Sequence, residues 1–231
     1  MNILWRWTKR ALLAFVLLVL ALQLWFLGHI LFWNHFNPGR TSFMDIRLAE
    51  LRQKDPRAKL KQHWQPYGRI ATHLKRAIIA AEDARFVDHE GFDWDGIQKA
   101  IEKNQRKGRL IAGGYTISQQ LAKNLFLSPG RTPWRKGQEA IITLMLESVM
   151  NKQRIFEIYL NVVEWGNGIF GAEAAARHYF GIGASQLGPE QAARLAAMLP
   201  NPRFYDRNRD APGLARKSEI ILARMHAVDT P

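Results

Sequence analysis

Apolar residues fill the chain over residues 11–33, where no formal charge occurs and only Gln23 and His29 are strongly polar. A helix of roughly 20 such residues crosses the hydrocarbon core of a bilayer. Three bases precede the run: Arg6, Lys9 and Arg10. Because basic flanks stay in the cytoplasm, the pattern predicts a cytoplasmic N-terminus at 1–10, a transmembrane helix at 11–33 and export of the remainder.

A cleaved signal peptide is the main alternative for this segment. Its apolar core spans roughly 7–15 residues and ends near an A-x-A-like site. The run here is longer, and no convincing site of that kind follows it. A buried core helix is a further alternative. The sequence favours a single anchoring span, followed by a juxtamembrane segment at 34–64 and one domain at 65–231.

Beyond residue 70 the apolar positions recur at helical spacing, and no run alternates as a half-buried strand does. Residues 41–70 are polar and contain Pro56 and Pro66, so this segment is predicted to be irregular. Eight helices are predicted: His73–Glu82, Trp94–Arg106, Ile117–Leu125, Trp134–Met150, Gln153–Asn161, Phe170–Tyr179, Pro189–Met198 and Gly213–His226. The expected fold class is mainly α, with one N-terminal transmembrane helix.

Composition narrows the function classes. The 231 residues, 47% of them hydrophobic, are enough for one compact domain with a small appendage. The lack of cysteine excludes disulfides and a Cys-ligated zinc site. The formal charge of +13, most of it beyond residue 40, suggests nucleic acid, an anionic membrane surface or a phosphate-bearing substrate as partner. A solvated basic surface without a ligand is the alternative.

The first cluster of chemically capable residues is EDARFVDHEG at 82–91. It follows an apolar helical run, so Glu82 is expected where a helix meets a loop. A carboxylate partly packed on apolar side chains there has its pKa raised towards the range useful for proton transfer. For a lone Glu-Asp pair, an ordinary solvated helix end is the alternative.

The second cluster covers residues 113–124, GGYTISQQLAKN. Glycines, hydroxyls and paired amides at a helix start offer donors to an oxyanion or a sugar. The alternative is helix capping by Thr116 or Ser118, which is compatible with ligand binding.

The third cluster contains Arg131, Arg135, Lys136 and Glu139. Arg135 and Glu139 have the spacing of an ordinary helical ion pair. Alternatively, Glu139 is a second active-site carboxylate, while Lys123 and Arg131 supply positive charge to a leaving group.

The fourth cluster runs over residues 152–171 and combines a helical segment with a glycine-rich loop. Ile155, Tyr159 and Leu160 are predicted to pack in the core. Asn161 is predicted to cap the helix before the loop.

Taken in order, the clusters resemble the motifs of the peptidoglycan glycosyltransferases, in particular the monofunctional ones. The family pattern E-D-x-x-F-x-x-H-x-G is met at Glu82, Asp83, Phe86, His89 and Gly91. The pattern G-G-S-T-I-T-Q-Q with a following K-N is met at Gly113, Gly114, Thr116, Ile117, Gln119, Gln120, Lys123 and Asn124. R-K-x-x-E is met at Arg135, Lys136 and Glu139, the Y-L-N…G…G motif at Tyr159–Gly171, and a last motif at Glu190–Pro202. The resemblance covers residues 65–205. Tyr115 replaces the family's usual serine, which puts one phosphate contact in question, and Ser118 replaces threonine.

The resemblance implies a lysozyme-like helical domain that polymerises lipid II into linear glycan strands, inverting the linkage and releasing undecaprenyl pyrophosphate. It implies that Glu82 is the catalytic base and that Glu139 is a second catalytic carboxylate. It also implies these substrate-binding residues: Asp83, Phe86, His89, Gly114, Thr116, Gln119, Gln120, Lys123, Asn124, Arg131, Arg135 and Lys136.

Cofactors, partners and location are expected to follow from this resemblance. No tightly bound cofactor is expected, although a divalent metal, Mg²⁺ or Mn²⁺, could bridge the phosphates; its ligands are unknown. Expected partners are lipid II, the growing glycan, the membrane, and cell-wall synthesis or division proteins, but no nucleic acid. The catalytic domain is expected on the periplasmic side of the bacterial inner membrane. No S-x-x-K or K-T-G pattern occurs, so no transpeptidase activity is expected. A glycan hydrolase and an inactive membrane-tethered scaffold are the competing functions.

Overall fold

The computed structural model of the protein describes residues 3–108, 114–130 and 132–231, in two units that divide after Asn37. The first unit consists of helix α1, Ile3–His35. Its stretch Trp5–His35 contains an 18-residue window with a mean hydropathy of 2.5 and is long and apolar enough to cross a membrane. Few side chains of that stretch are buried, which argues against a core helix. A signal sequence would meet the same criteria of length and composition, so the anchor stays a prediction.

The second unit, Pro38–Pro231, is mainly α-helical, as predicted. Its helices are α2 Ser42–Arg52, α3 Thr72–Glu82, α4 Trp94–Lys107, α5 Ile117–Phe126, α6 Pro133–Val149, α7 Lys152–Val162, α8 Ala172–Phe180, α9 Pro189–Met198, α10 Pro202–Arg207 and α11 Pro212–Arg224. All eight predicted helices are confirmed, with ends that differ by two residues at most.

Two groups of helices form the core of this unit. Helix α3 packs against α9 and α11, while α5 packs against α2, α6 and α7. Fully buried apolar side chains such as Ile78, Leu121 and Phe156 fill the space between them. Burial of each large apolar side chain stabilises the fold by roughly 1.5–3 kcal/mol. The two helices that carry the first two clusters, α3 and α5, are therefore held on a packed core.

Helix α2 corrects the prediction that residues 41–70 are irregular. Thr41 caps the helix, because its Oγ1 accepts a hydrogen bond from the backbone N–H of Met44 at 3.2 Å. Met44 and Leu48, one turn apart, are its buried residues. An apolar face this narrow gives little periodic signal, and Pro56 and Pro66 mark only the segment beyond the helix.

A three-stranded sheet corrects the expectation that strands are lacking. Strand β1, Lys61–Gln62, pairs in parallel with β3, Ile169–Phe170, and β3 pairs antiparallel with β2, Glu164–Gly166. The order is β1-β3-β2. Strands of two or three residues are too short to display alternation. Gly168 makes the turn between β2 and β3 at a φ of 75°, a region that favours glycine.

Asn161 does not cap helix α7, which continues to Val162. Its side chain instead pairs with the backbone of Gln65, accepting from that N–H at 2.8 Å and donating to that carbonyl at 2.9 Å. The side chain also donates to the carbonyl of Glu157 at 2.8 Å. Asn161 therefore fastens the segment before α3 to helix α7. Ile155, Tyr159 and Leu160 are fully buried, as predicted.

Candidate active site

Asp83 joins the first cluster to the second. It directly follows α3 and is buried. One carboxylate oxygen accepts the backbone N–H of Ile117, in the first turn of α5, at 3.0 Å. The other oxygen lies 3.0 Å from Nε2 of His89. Nδ1 of His89 accepts the N–H of Gly91, so Nε2 carries the proton and donates to Asp83.

A second set of bonds fastens the same loop to the start of α5. Thr116 caps that helix in a reciprocal capping box with Gln119. The Thr116 hydroxyl also donates to the carbonyl of Gly91 at 2.7 Å. Gly91 has a φ of 89°, and a Cβ there would lie 2.8 Å from Cγ2 of Thr143. Only glycine therefore fits between the loop and α6 without strain.

The internal bonds of Asp83 lead to a prediction about stability. In Asp83→Ala, the Ile117 amide and the His89 ring lose their acceptor inside the protein. An unpaired buried donor costs about 1–3 kcal/mol, so the free energy of unfolding is expected to fall by about 2–5 kcal/mol. Urea unfolding of the detergent-solubilised chain measures it. The control is Asp88→Ala, on an exposed side chain of the same loop, where a change within about 0.5 kcal/mol is expected. Equal losses in the two variants would contradict this account.

Glu82 is the last residue of α3, as the sequence predicted. Its Oε2 accepts a hydrogen bond from Nε2 of Gln120 at 2.7 Å, and Oε1 of Gln120 accepts from the hydroxyl of Tyr159 at 3.0 Å. Burial raises the pKa of Glu82, while the Gln120 bond and the charge of Lys123 counteract part of that rise. Glu82 therefore combines a raised proton affinity with a fixed orientation, as a general base requires.

Glu139 lies on α6 with its side chain fully buried. Its Oε2 accepts from the phenol of Tyr115 and from the Arg135 guanidinium at 2.9 Å. Its Oε1 accepts from Nζ of Lys136 at 2.5 Å. The pair predicted from the spacing of Arg135 and Glu139 is confirmed. A buried carboxylate needs such partners, because leaving it unpaired would be costly.

Lys123 is the cation of this region that remains without an acceptor. It makes no hydrogen bond or ion pair with any residue in the described ranges, and its Nζ lies 5.5 Å from the ring centre of Tyr115. Burial lowers the pKa of Lys123, and the negative charge of Glu139 partly opposes this. Its ammonium is therefore free to bind an anionic ligand.

A cleft of about 920 Å³ brings these groups together. Its lining residues are Phe43, Arg47, Tyr115, Gln120, Lys123, Asn124, Pro129, Thr132, Pro133, Arg135, Lys136, Val163, Glu164, Leu199, Pro200, Asn201, Pro202 and Arg203. Five of these residues are basic and one, Glu164, is acidic, so the wall favours an anionic ligand. Glu82 and Glu139 are each hydrogen-bonded to side chains of this lining.

The residues predicted to bind substrate fall into two groups in the structure. The first group lines the cleft: Gln120, Lys123, Asn124, Arg135 and Lys136. The second group bonds or packs inside the protein: Asp83, Phe86, His89, Gly114, Thr116 and Gln119. The contacts of the second group hold neighbouring parts of the site in position. That these residues touch the substrate stays a prediction. Arg131 lies outside the described residues.

Gly114 illustrates the second group. A Cβ at this residue would lie 2.6 Å from Cγ1 of Ile97 and 2.9 Å from its Cα. Glycine therefore allows α4 to approach the chain that leads into α5. This close approach explains one glycine of the second cluster by packing.

Arg47 and Arg203 line the cleft, although the sequence does not predict them as site residues. Nε of Arg47 lies 3.1 Å from Oε2 of Glu164, and Arg203 lies 3.5 Å from Oε2 of Glu50. Burial raises the pKa of Glu164, against the opposing charge of Arg47. Arg47 was not recognised as a site residue because α2, the helix that contains it, was not predicted. Arg203 directly follows the last motif.

A partly buried network of Ser118, Glu147 and Lys152 was not predicted from the sequence. The Ser118 hydroxyl donates to Oε1 of Glu147 at 2.5 Å, and Nζ of Lys152 lies 2.8 Å from the same oxygen. Nζ of Lys152 also lies 4.6 Å from the ring centre of Phe86. Ser118 therefore links α5 to α6, and Thr116 alone of the two predicted alternatives caps α5.

Known proteins with related sequences agree with the motif analysis. The sequence model of the transglycosylase family matches residues 48–226. A biosynthetic peptidoglycan transglycosylase of Dechloromonas aromatica is 70% identical over 231 residues, all of both chains. Proteins of the same name from Chromobacterium violaceum and Nitrosospira multiformis are 64% and 62% identical, over 96% and 98% of this chain and 97% and 98% of their own lengths.

These matches cover nearly the whole chain, including the described helices that surround the cleft. The predicted resemblance is thereby confirmed, and with it the glycosyltransferase activity in peptidoglycan synthesis. The chain belongs to the transglycosylase family and is a peptidoglycan glycosyltransferase.

Proposed function

We propose that this enzyme polymerises lipid II into linear glycan strands, with inversion at the sugar carbon and release of undecaprenyl pyrophosphate. The observation that carries the proposal is that the charge of Lys123 acts on Glu82 although the two side chains form no ion pair. The carboxylate is bonded to Gln120, and Gln120 and Lys123 lie one turn apart on α5, where both line the cleft. Helix α5 therefore holds a proton acceptor, through Gln120, within one turn of an uncommitted cation.

Glu82 is the general base in this proposal. Its carboxylate takes the proton from the 4-hydroxyl of the acceptor GlcNAc as that oxygen forms a bond to C1 of the donor MurNAc. The bond from C1 to the pyrophosphate oxygen breaks on the opposite face, so an α linkage becomes a β linkage. The leaving pyrophosphate keeps the electron pair of the broken bond, and the proton stays on Glu82 until solvent removes it.

The basic wall of the cleft stabilises the leaving group. A lipid pyrophosphate is already a stable anion, so it requires positive charge more than a proton donor. Lys123 supplies that charge directly, and Arg135 and Lys136 add to it while they hold Glu139. A glycosidase, by contrast, needs an acid that protonates a poor alkoxide leaving group. The excess of bases in the cleft favours glycosyl transfer over hydrolysis.

A divalent metal would have to be held mainly by the phosphates of the substrate. The described ranges contain no group of three or more His, Asp or Glu side chains placed to hold a metal ion. Both oxygens of Glu139 already accept hydrogen bonds from Tyr115, Arg135 and Lys136. We therefore assign charge neutralisation to the lysines and arginines and derive no step through a metal.

Membrane attachment fits the same proposal. Helix α1 has the length and apolar composition of a single span, and basic residues precede its apolar core. In this proposal α1 anchors the enzyme in the inner membrane, with the catalytic domain on the periplasmic side. Lipid II and the growing glycan are then its ligands, and cell-wall synthesis or division proteins are its candidate partners. This location leaves nucleic acid without a role.

Incubation of the detergent-solubilised chain with fluorescent lipid II tests the proposal. We expect glycan polymers that lysozyme degrades, because lysozyme cleaves the β linkage that inversion creates, together with free undecaprenyl pyrophosphate. A parallel incubation with finished peptidoglycan is expected to release no fragments. Fragment release without consumption of lipid II would instead identify a hydrolase, and no turnover of either substrate would favour a scaffold.

A further inference from the structure

Tyr115 lies where the cleft meets the buried carboxylate of Glu139. It precedes the N-cap residue of α5 and lines the cleft. Its hydroxyl donates to Oε2 of Glu139. Its ring lies below two ammonium groups, with Nζ of Lys136 at 4.1 Å and Nζ of Lys123 at 5.5 Å from the ring centre. One side chain therefore contacts the anion and both lysines of this cluster.

The hydroxyl of Tyr115 is one of three donors that hydrogen-bond to the carboxylate of Glu139. Oε2 accepts from Tyr115 and Arg135, and Oε1 accepts from Lys136. Because the carboxylate is fully buried, water does not supply a substitute donor. Burial raises the pKa of the Tyr115 phenol, and the negative charge of Glu139 raises it further, so Tyr115 stays a neutral donor at physiological pH.

Lys123 is the nearby base that Glu139 does not bind, although the two charges interact. If Oε2 lost the Tyr115 donor, Lys123 would be a cation able to replace it. An ion pair between Lys123 and Glu139 would then neutralise the charge that faces the cleft. The ring of Tyr115 also helps to keep Lys123 out of such a pair, because its negative face stabilises an ammonium that has no anionic partner.

We propose that Tyr115 is a positioning residue that keeps Lys123 available to a pyrophosphate ligand. Its hydroxyl donates to Oε2 of Glu139 and so takes an acceptor site that Lys123 could use. Its ring holds the ammonium groups of Lys123 and Lys136 by cation–π contacts. The assignment rests on the proposed function, since it takes the pyrophosphate of the substrate as the ligand of Lys123. Tyr115 thus acts through Lys123 and Glu139.

Two variants separate the contributions of the hydroxyl and the ring. Tyr115→Phe keeps the ring and removes the donor, and Tyr115→Leu removes both. The matched control is Tyr67→Phe. The hydroxyl of Tyr67 also donates a hydrogen bond, to the carbonyl of Pro231 at 2.6 Å. Its ring also makes a cation–π contact, with Nζ of Lys75 at 4.0 Å from the ring centre. Tyr67 is not among the residues that line the cleft.

The first measurement is calorimetric binding of inorganic pyrophosphate to the detergent-solubilised full chain. Loss of the hydroxyl is expected to weaken binding about 3- to 10-fold in Tyr115→Phe. Loss of the ring as well is expected to weaken binding about 10- to 50-fold in Tyr115→Leu. In lipid II polymerisation, the Phe variant is expected to raise KM by a similar factor and to change kcat less. Tyr67→Phe is expected to match the wild type.

The second measurement is the pH dependence of kcat/KM, which a purely structural role would not change. Lys123 acts as a cation, so activity falls as the pH rises through its lowered pKa. In Tyr115→Phe, Glu139 pairs with Lys123 and raises that pKa, so the alkaline limb is expected to move to higher pH. A fall in affinity together with an alkaline limb that lies at higher pH is the signature of the proposed role.

The outcomes separate this inference from the proposed function. If lipid II is polymerised but Tyr115→Phe keeps wild-type affinity, KM and alkaline limb, the role of Tyr115 is wrong and the proposed function stands. If the variants differ in pyrophosphate binding as expected but no lipid II is polymerised, the proposed function is wrong. If the wild type polymerises lipid II but binds no pyrophosphate, the role of Tyr115 is wrong and the proposed function stands. Should Tyr115→Leu fail to fold, Tyr115→Phe alone decides.

Discussion

Glu82→Gln is expected to reduce lipid II polymerisation by about 10²–10⁴-fold, the usual contribution of a general base. The amide keeps the shape of the side chain and can still bond to Gln120, but it cannot accept the proton of the attacking hydroxyl. Fluorescent lipid II, separated from polymer by electrophoresis, measures the rate. The matched control is Glu90→Gln, an exposed carboxylate of the same loop, for which near-normal turnover is expected.

The stability of Glu82→Gln distinguishes a lost base from a damaged fold. The pKa of Glu82 is raised in the folded state, so its stabilising contribution exists at low pH and is lost as the pH rises through that pKa. At neutral pH the buried charge therefore destabilises the native protein. We expect the Gln variant to unfold at the same temperature as the wild type or at a higher one. Near-normal polymerisation by this variant would contradict the assignment of the base.

Lys123→Ala is expected to lower kcat/KM for lipid II by about 10²–10³-fold, the usual cost of removing a preorganised group that stabilises developing charge. Lys123 has no hydrogen-bonding or ion-pairing partner among the described residues, so its removal leaves no buried carboxylate unpaired. The loss should therefore appear in activity and in pyrophosphate affinity, and only weakly in the unfolding temperature. Steady-state kinetics and thermal unfolding of the same preparation measure both.

Lys61→Ala is the control for the net charge of the enzyme. Lys61 is an exposed residue of strand β1 and is not part of the cleft lining. Its removal lowers the total charge by the same amount, and a change of less than about twofold is expected because exposed charges are screened by salt. Equal effects in the two variants would mean that bulk positive charge, and not Lys123 in particular, attracts the substrate.

The parts of the fold that the sequence predicts are those with local signals. Helix α9 combines Pro189 in its first turn with an Ala- and Leu-rich run, and its predicted bounds are confirmed. Helix α2 was missed because Met44 and Leu48 are its only buried residues. The strands were missed because two- and three-residue segments become strands only through pairing with distant partners.

In the candidate site, too, the features that the sequence predicts are those formed between neighbouring residues. The position of Glu82 at a helix end and the ion pair of Arg135 with Glu139 follow from neighbouring residues, so the sequence predicts both. The bond of Glu82 to Gln120 and the bond of Tyr115 to Glu139 join residues 38 and 24 positions apart. Sequence spacing carries no information about such contacts. Ordered motifs indicate that these residues belong together, and only the fold indicates which atoms meet.

The bond between Arg47 and Glu164 joins residues 117 positions apart in the sequence, and the side chain of Asn161 grips the backbone of Gln65 across 96 positions. Contacts of such high sequence separation form late, because the entropy of closing a long loop is lost before they contribute any stability. During synthesis, α2 and β1 leave the ribosome long before their partners exist. The side of the cleft that contains Arg47 and Glu164 therefore cannot form until the glycine-rich hairpin of β2 and β3 has been synthesised.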